Sequence, residues 1–261
     1  MKEISHRTFA NGTVYLLETD DGYPVEVTDT FLPYYTKDAI GRKQNALNGE
    51  CIGDRSERWM IGISCMSGCP VRCKFCATGK LKKWRNLTAQ EMLDQIEFVF
   101  NKNPDVRFSD AKEHKINYTR MGEPFLNIEN VKKVIVFMNG TVPNTHHYLS
   151  TIGVRNSDFS WVKDNITLQV SVHSLQEDKR NWLIPYKNKL TYKELGEIRT
   201  NSNLKTTVNM TLVDESDFDI EKLKEYFDPK HFFVKLSPIN SNSVSDKNNL
   251  GTGVIKGNNL I

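Results

Sequence analysis

Only one of the five cysteines in this 261-residue chain, Cys51, lies outside a single twelve-residue stretch, and none follows Cys76. That distribution does not staple distant parts of a secreted domain; it gathers soft ligands in one place. No apolar run approaches the length of a membrane span. The first ten residues carry Lys2, Glu3, His6 and Arg7 without an apolar stretch, so they do not read as a signal peptide. These absences point to a reducing, cytoplasmic setting, with metal in place of disulfides. Neither sign of charge dominates. Lys and Arg number 35 against 32 Asp and Glu, and the net charge of +3 permits an anionic partner without demanding one. There is no internal repeat. At 38% hydrophobic and 26% charged residues, the length suits one large α/β domain or a barrel-like domain with a small addition.

What is present centres on Cys65 to Cys76, C-M-S-G-C-P-V-R-C-K-F-C, in which Cys69, Cys73 and Cys76 make a C-x3-C-x2-C. Thiolates this dense on a loop mean soft-metal ligation. A ferredoxin-type [4Fe-4S] cluster takes four cysteines, whereas this triplet supplies three and leaves one iron open. An open iron can chelate the amino and carboxylate groups of S-adenosylmethionine, and the reduced cluster can then break the sulfonium to give a 5′-deoxyadenosyl radical. Two plainer readings share the spacing: zinc held by four cysteines with Cys65 as the fourth, and a simple electron-transfer cluster.

Along the chain, Gly12 to Pro33 reads as a β-hairpin turning at Asp20-Asp21-Gly22. Residues 34–57 read as a polar linker in which Cys51 is incidental. From Trp59 onward, short apolar strands alternate with helical patterns. Strands fall at Trp59–Ser64, Lys115–Thr119, Tyr148–Thr151, Ile166–Val172, Lys205–Val213 and His231–Leu236. A capping box, Thr88 with Glu91, opens the first helix, whose apolar face is Met92, Leu93, Ile96, Val99 and Phe100. A second helix carries Val131, Val134, Ile135 and Met138, and further helical patterns lie at Tyr192–Arg199 and Ile220–Phe227. Six strands with helices between them predict a parallel sheet in a partial (β/α)6 barrel with an N-terminal hairpin extension. The expected divisions are 1–57, 58–240 and a frayed tail over 241–261, rich in Asn, Ser and Gly.

The strand ends carry small polar groups. Arg120-Met121-Gly122-Glu123-Pro124 follows the second strand, Ser150-Thr151-Ile152-Gly153 the third, Ser171-Val172-His173-Ser174 the fourth and Ser237-Pro238-Ile239-Asn240 the sixth. A glycine lets backbone approach a ligand, and a fixed carboxylate beside it can accept from an ammonium group. Each segment alone reads equally as a turn or cap; their recurrence at one face points to a ligand site.

The segments G-C-P-V-R-C-K-F-C-A-T-G (68–79), R-N-L-T-A-Q-E (85–91), M-G-E-P-F-L-N (121–127), L-S-T-I-G (149–153), S-V-H-S (171–174) and S-P-I-N (237–240) resemble the radical S-adenosylmethionine superfamily. Within it, they resemble the RlmN/Cfr family of RNA adenine methyltransferases. The resemblance implies that Cys69, Cys73 and Cys76 ligate the cluster and that Phe75 packs near the adenine. It places Gly122 and Glu123 at the methionyl amine, and Ser150, Ser171, His173 and Asn240 on the rest of the cofactor. It also implies an electron donor such as flavodoxin or ferredoxin, and RNA or a nucleotide-like substrate. In the hairpin, V-E-V resembles the family segment that carries a catalytic proton acceptor, which falls on Glu26; a solvated hairpin carboxylate is the plainer alternative.

Three departures accompany the match. The family's resolving cysteine lies seven residues before the first cluster cysteine, where this chain has Gly62. Its methyl-carrying cysteine belongs to a C-terminal segment, and its N-terminal helical domain helps grip RNA; neither is expected in this sequence. The radical-generating core is therefore expected without the methylation machinery. Finally, no acid falls between Met66 and Gln90, while Arg72, Lys74, Lys80, Lys82, Lys83 and Arg85 do, with Phe75 and Trp84 interleaved. That stretch can hold nucleic-acid phosphates with Trp84 stacking on a base, offset a thiolate cluster, or dock an acidic electron donor.

Overall fold

A computed structural model describes residues 1–33, 53–211 and 213–251, together with the backbone of short strands at Thr36–Lys37, Lys43–Gln44, Ile255–Lys256 and Asn259–Leu260. Cys51 and most of the expected linker lie outside the described residues. The chain packs as two compact units built from interleaved segments. One holds Met1–Ser67, Asn86–Met121 and Asn127–Tyr148; the other holds Gly68–Arg85, Gly122–Leu126 and Leu149–Ile261.

The first unit contains strands β1 (Lys2–Phe9), β2 (Gly12–Glu18), β3 (Pro24–Phe31), β4 (Arg58–Gly62) and β5 (Glu113–Tyr118). It also contains helices α1 (Ala89–Lys102) and α2 (Ile128–Thr141). β1, β2, β3 and β4 pair antiparallel in that order, and β4 pairs β5 in parallel. The β4–α1–β5 crossover is the first strand–helix–strand unit that the alternation predicted. Thr88 caps α1 as expected: its hydroxyl accepts from the Glu91 N–H while the Glu91 carboxylate accepts from the Thr88 N–H. The buried face of α1 is Met92, Gln95, Ile96 and Val99. Gln95 was not among the expected core residues, and its burial has a reason. Its amide accepts from the Ser64 N–H at 2.8 Å and donates to the Ser64 carbonyl at 3.0 Å, replacing a sheet partner where β4 has ended.

β1 was also unexpected. Seven of its eight side chains are exposed, so no alternation of buried and solvated positions betrays it. It is an edge strand whose charge discourages further pairing. Beneath the sheet, Asp29 is buried but satisfied. Trp59 Nε1 donates to it at 2.8 Å, Arg55 Nη2 at 2.6 Å and Asn103 Nδ2 at 3.0 Å. Trp59, Phe100 and Phe108 pack edge-on around this carboxylate, with Trp59 fully buried.

Strand β6 (His146–Thr151) spans the division between the units. The second unit continues with β7 (Ile166–Ser171), β8 (Thr206–Thr211) and β9 (Phe232–Ser237). Its helices are α3 (Glu177–Leu183), α4 (Tyr192–Gly196), α5 (Ile220–Tyr226) and α6 (Ser243–Lys247). β7 pairs β8 and β8 pairs β9, both in parallel, which bears out the predicted α/β alternation. All six side chains of β8 are buried, as suits a strand covered on both faces.

Within the stretch expected to fray from residue 241, Ser243–Lys247 form helix α6. Asn242 caps α6 by accepting from the Val244 and Ser245 N–H groups, and its own amide donates to the Phe75 carbonyl at 2.9 Å. Asn248 donates to the Lys74 carbonyl at 2.8 Å. Composition misleads here because the same asparagines that suggest disorder act as caps and bridges. Among the described residues, no helix is long and apolar enough to cross a membrane.

Candidate functional site

The cysteine triplet and every expected cofactor contact lie in the second unit. No disulfide forms among Cys65, Cys69, Cys73 and Cys76. Burial pushes the Cys69 thiol up to about 12, with Glu123 and Cys76 adding to the rise, while N–H groups of Val71 and Arg72 point at its sulfur and oppose it. Cys73 is pushed well above the ordinary thiol range by burial first, then by Cys76, Cys69 and Glu123. Cys76 and Glu123 therefore stand near both Cys69 and Cys73 and disfavour a negative charge on either sulfur. A cationic group placed among them reverses that balance, and N–H donors already aimed at Cys69 suit a thiolate.

This donor set fits an iron–sulfur cluster. Four cysteines on one zinc would converge at about 2.3 Å from the ion, yet among the described residues no three His, Cys, Asp or Glu side chains gather closely enough for a single ion. In a cluster each cysteine takes its own iron, so the ligands stay spread. Cys65, the fourth ligand in the zinc reading, is buried in the first unit with its S–H directed at the Met121 carbonyl, 3.6 Å away.

Gly122, with φ +110°, takes a left-handed conformation that L side chains rarely adopt and leads into Glu123. The Glu123 carboxylate is buried. It accepts from the Ile152 N–H at 2.9 Å and from the Phe125 N–H at 3.1 Å. Burial raises it to about 7 although the Thr151 hydroxyl and these two N–H groups favour the ionised form. A buried carboxylate this reluctant to ionise suits an ammonium partner, whose charge would restore it.

The Phe75 and His173 rings meet edge-on, with centroids 4.8 Å apart. His173 sits at φ +66° and accepts from the Thr211 N–H through Nδ1, which defines a neutral ring with its proton on Nε2. Burial, reinforced by Arg180, lowers it to about 3. Ser150 and Ser171 approach through their hydroxyls at 3.4 Å, and Gln169 donates to Ser150 at 2.9 Å. Asn240 is exposed, and its carbonyl accepts from Asn242 at 3.0 Å.

Glu26 belongs to the first unit. Its carboxylate accepts from Arg120 Nε at 2.7 Å and is also bonded by Nη2 of the same residue. The strand carrying it is held by Ser64, whose hydroxyl donates to the Glu26 carbonyl at 2.7 Å and accepts from the Met121 N–H at 3.1 Å. Gly62 is closely packed: a Cβ there would lie 2.3 Å from Thr28 Oγ1 and 2.9 Å from Arg120 Cδ. Asn127, the last residue of the 121–127 motif, is buried. Its amide donates to the carbonyls of Cys65 and Leu87, both at 2.7 Å, tying the loop after β4 to the start of α1.

In the basic stretch, Arg72, Lys80, Lys82, Lys83 and Trp84 are exposed, Trp84 to 48%. The three-cysteine loop and the buried Glu123 carboxylate make a donor set that could hold an iron–sulfur cluster beside a cationic ligand. Residues 63–227 match the Radical SAM superfamily. The chain belongs to that superfamily, which implies S-adenosylmethionine and an iron–sulfur cluster as its cofactors.

Among curated proteins, the chain is similar to a probable dual-specificity RNA methyltransferase RlmN from Pseudothermotoga lettingae. The two are 32% identical over 194 residues, covering 69% of this chain and 54% of that protein. A Thermotoga maritima protein of the same name is 31% identical over 246 residues, 87% of this chain and 62% of its own length. The chain thus spans little more than half of the relatives it matches. A solved radical SAM methyltransferase from Sphaerobacter thermophilus shares the fold with a TM-score of 0.66 at 23% identity, covering 92% of this chain and 67% of that one.

Proposed function

We propose that the protein is an RlmN/Cfr-like radical S-adenosylmethionine enzyme that acts on RNA or a nucleotide-like substrate. The observation that carries this reading is the gathering of Cys69, Cys73, Cys76 and Glu123 in one unit, where Cys76 and Glu123 both act on Cys69 and Cys73. Cys69, Cys73 and Cys76 would hold a [4Fe-4S] cluster, and Glu123 with Gly122 would receive the methionyl ammonium. Phe75, Ser150, Ser171, His173 and Asn240 would contact the rest of the cofactor. When bound, the cluster and S-adenosylmethionine together supply a 5′-deoxyadenosyl radical. The protein's own residues orient the cofactor and keep water from it: Glu123 by a charge-assisted hydrogen bond, Phe75 and His173 by apolar and polar ring contacts. RNA as substrate draws support from the names of the relatives and from the exposed lysines around Trp84. A flavodoxin or ferredoxin would supply the electron.

The packing at Gly62 favours a second reading of the reaction, in which hydrogen is abstracted from substrate without a cysteine-borne methyl. No thiol stands at that position, and Thr28 and Arg120 fill the space one would need.

The test is anaerobic reconstitution. Expected are about four irons and four sulfides per chain, with dithionite-dependent release of 5′-deoxyadenosine and methionine from S-adenosylmethionine. Replacing Cys69, Cys73 and Cys76 together by Ala should abolish the cluster, and Cys65→Ala should not. Stoichiometric zinc without sulfide would overturn the reading. With a trideuterated methyl on the cofactor, deuterium in the released 5′-deoxyadenosine would favour the methyl relay over the second reading.

A further inference from the structure

Arg180 lies within α3, in the second unit, and is 4% exposed. Its Nη1 donates to the Leu190 carbonyl at 2.9 Å, and its guanidinium carbon stands 5.0 Å from the centre of the Tyr192 ring. Tyr192 is fixed in turn by its hydroxyl, which donates to the Ser174 carbonyl at 2.9 Å. Nε and Nη2 of Arg180 are buried and have no hydrogen-bond partner among the described residues.

Those two nitrogens form one edge of the guanidinium, the edge whose parallel N–H groups match two oxygens of an oxyanion. An arginine buried with that edge empty is costly unless something fills it. Arg180 also lines a cavity of about 330 Å³ together with Arg155, Lys187, Lys189 and Lys193, opposed by the single carboxylate of Glu177. Lys189 is buried as well and spends one donor on the Tyr186 carbonyl at 3.2 Å. Arg155 is occupied by Glu194 at 3.1 Å. Glu177 lies near enough to favour the charge on both Arg180 and Lys189, but no ion pair joins it to Arg180 among the described residues, so the cations around the cavity outnumber its one carboxylate.

We propose that this cavity binds a phosphate group neutralised by Arg180 and Lys189, with Lys187 and Lys193 drawing it in from the exposed rim; a small rotation of the Arg180 side chain turns its unpaired Nε–Nη2 edge, buried in the present structure, onto two phosphate oxygens. Two buried cations with a cationic rim match the charge of a phosphate better than that of a carboxylate. The cavity exceeds one phosphate in size, which leaves room for what the phosphate is attached to. The site adjoins the one described above, since Arg180 acts on His173 and Cys73 on Lys189, but its test needs no radical chemistry.

The experiment titrates the anaerobically purified full chain with inorganic phosphate by calorimetry, then repeats the titration with a short single-stranded RNA oligonucleotide and with phosphate as its competitor. One saturable phosphate site is expected. Arg180→Lys, which keeps the charge but loses the fork, should weaken it about tenfold or more. The rim double variant Lys187→Gln/Lys193→Gln, made entirely at exposed positions, should weaken it several-fold. If the oligonucleotide binds and phosphate displaces it from wild type but not from Arg180→Lys, the phosphate belongs to a nucleic-acid backbone. Phosphate binding without oligonucleotide binding assigns the site to a small phosphorylated ligand. Absence of saturable phosphate binding overturns the proposal. So does equal binding by wild type and folded Arg180→Lys or, should that variant not fold, by wild type and the rim variant.

Discussion

The side-chain amide of Asn242 donates to the main-chain oxygen of Phe75 at 2.9 Å while its carbonyl caps α6. One residue therefore both starts a helix and braces the loop that carries the cysteines. Asn242→Ala should lose the cap, worth about 1 kcal/mol, and the brace, worth a further ~1 kcal/mol. The expected outcome is a lower melting temperature and faster loss of iron to a chelator than in wild type. Asn248→Ala, which removes only the Lys74 contact, should show a smaller change in iron loss. Iron retention in Asn242→Ala equal to wild type would show that the loop holds itself.

Glu123 makes two opposed predictions. Glu123→Ala should weaken S-adenosylmethionine binding by about 1.5–3 kcal/mol, the value of a charge-assisted hydrogen bond, as read by equilibrium dialysis. In the cofactor-free protein the same carboxyl works against folding. Its folded pKa of about 7 lies above its ordinary 4.5. Between those values the unfolded chain ionises and the folded chain resists, so stability is greatest below 4.5 and is lost as pH rises toward 7. Urea unfolding of Glu123→Gln across that window should show a shallower loss than wild type. Identical profiles would remove the carboxyl from this role.

His147 predicts the acid limb. Its Nε2 faces Asn139 Oδ1 at 3.1 Å and its Nδ1 faces the Tyr118 hydroxyl at 3.3 Å, so a neutral ring with its proton on Nε2 satisfies both partners. Burial, with His146 adding to it, lowers the ring to about 3 from 6.5, and burial lowers His146 to about 4. Both rings are depressed, so the stability they support is present above pH 6.5 and drains as pH falls toward 3. Each contributes up to ~1.4 kcal/mol per pH unit while only the unfolded chain takes up the proton. His147→Gln should remove about one proton's worth of that slope in an acid unfolding series. A slope unchanged by the substitution would count against the assignment.

Gly62→Ala should destabilise the protein by about 1–3 kcal/mol, the usual cost of forcing atoms into a packed site. The added methyl would meet Thr28 Oγ1 at 2.3 Å, so Thr28→Ala in the same chain should recover part of the loss. A double-mutant cycle by chemical denaturation reads this directly. Strict additivity of the two substitutions would mean that the backbone moves aside instead.

Local signals in the sequence carried much of this molecule. The Thr88–Glu91 box and the strand–helix alternation rest on interactions within a few residues and formed as read, while of the expected α1 face Met92, Ile96 and Val99 are buried and Leu93 and Phe100 only half-buried. Glycine and small polar residues at the strand ends singled out Glu123 and His173, both of which are buried. What escaped notice depends on distant partners. Gln95 sits among apolar residues and looks like an error in the pattern until Ser64 is seen opposite it. Arg180 reads as one more helix-surface charge; nothing nearby in sequence reveals that it is buried beneath Tyr192. β1 has no buried face to produce a period. Helix α6 is held by asparagines whose partners lie near Phe75.

The braces between α6 and the cysteine loop also impose a timetable. Asn242 and Asn248 follow the carbonyls they hold by 167 and 174 residues. During synthesis the loop leaves the ribosome early, and at ~5–20 residues per second its fasteners arrive about ten seconds or more later. Until then the loop lacks these two braces, although the Lys74 N–H can already bond the Leu183 carbonyl, and its thiols are more open to oxidation and to stray metal. On the function proposed above, a cluster would be delivered most productively once residue 248 has emerged.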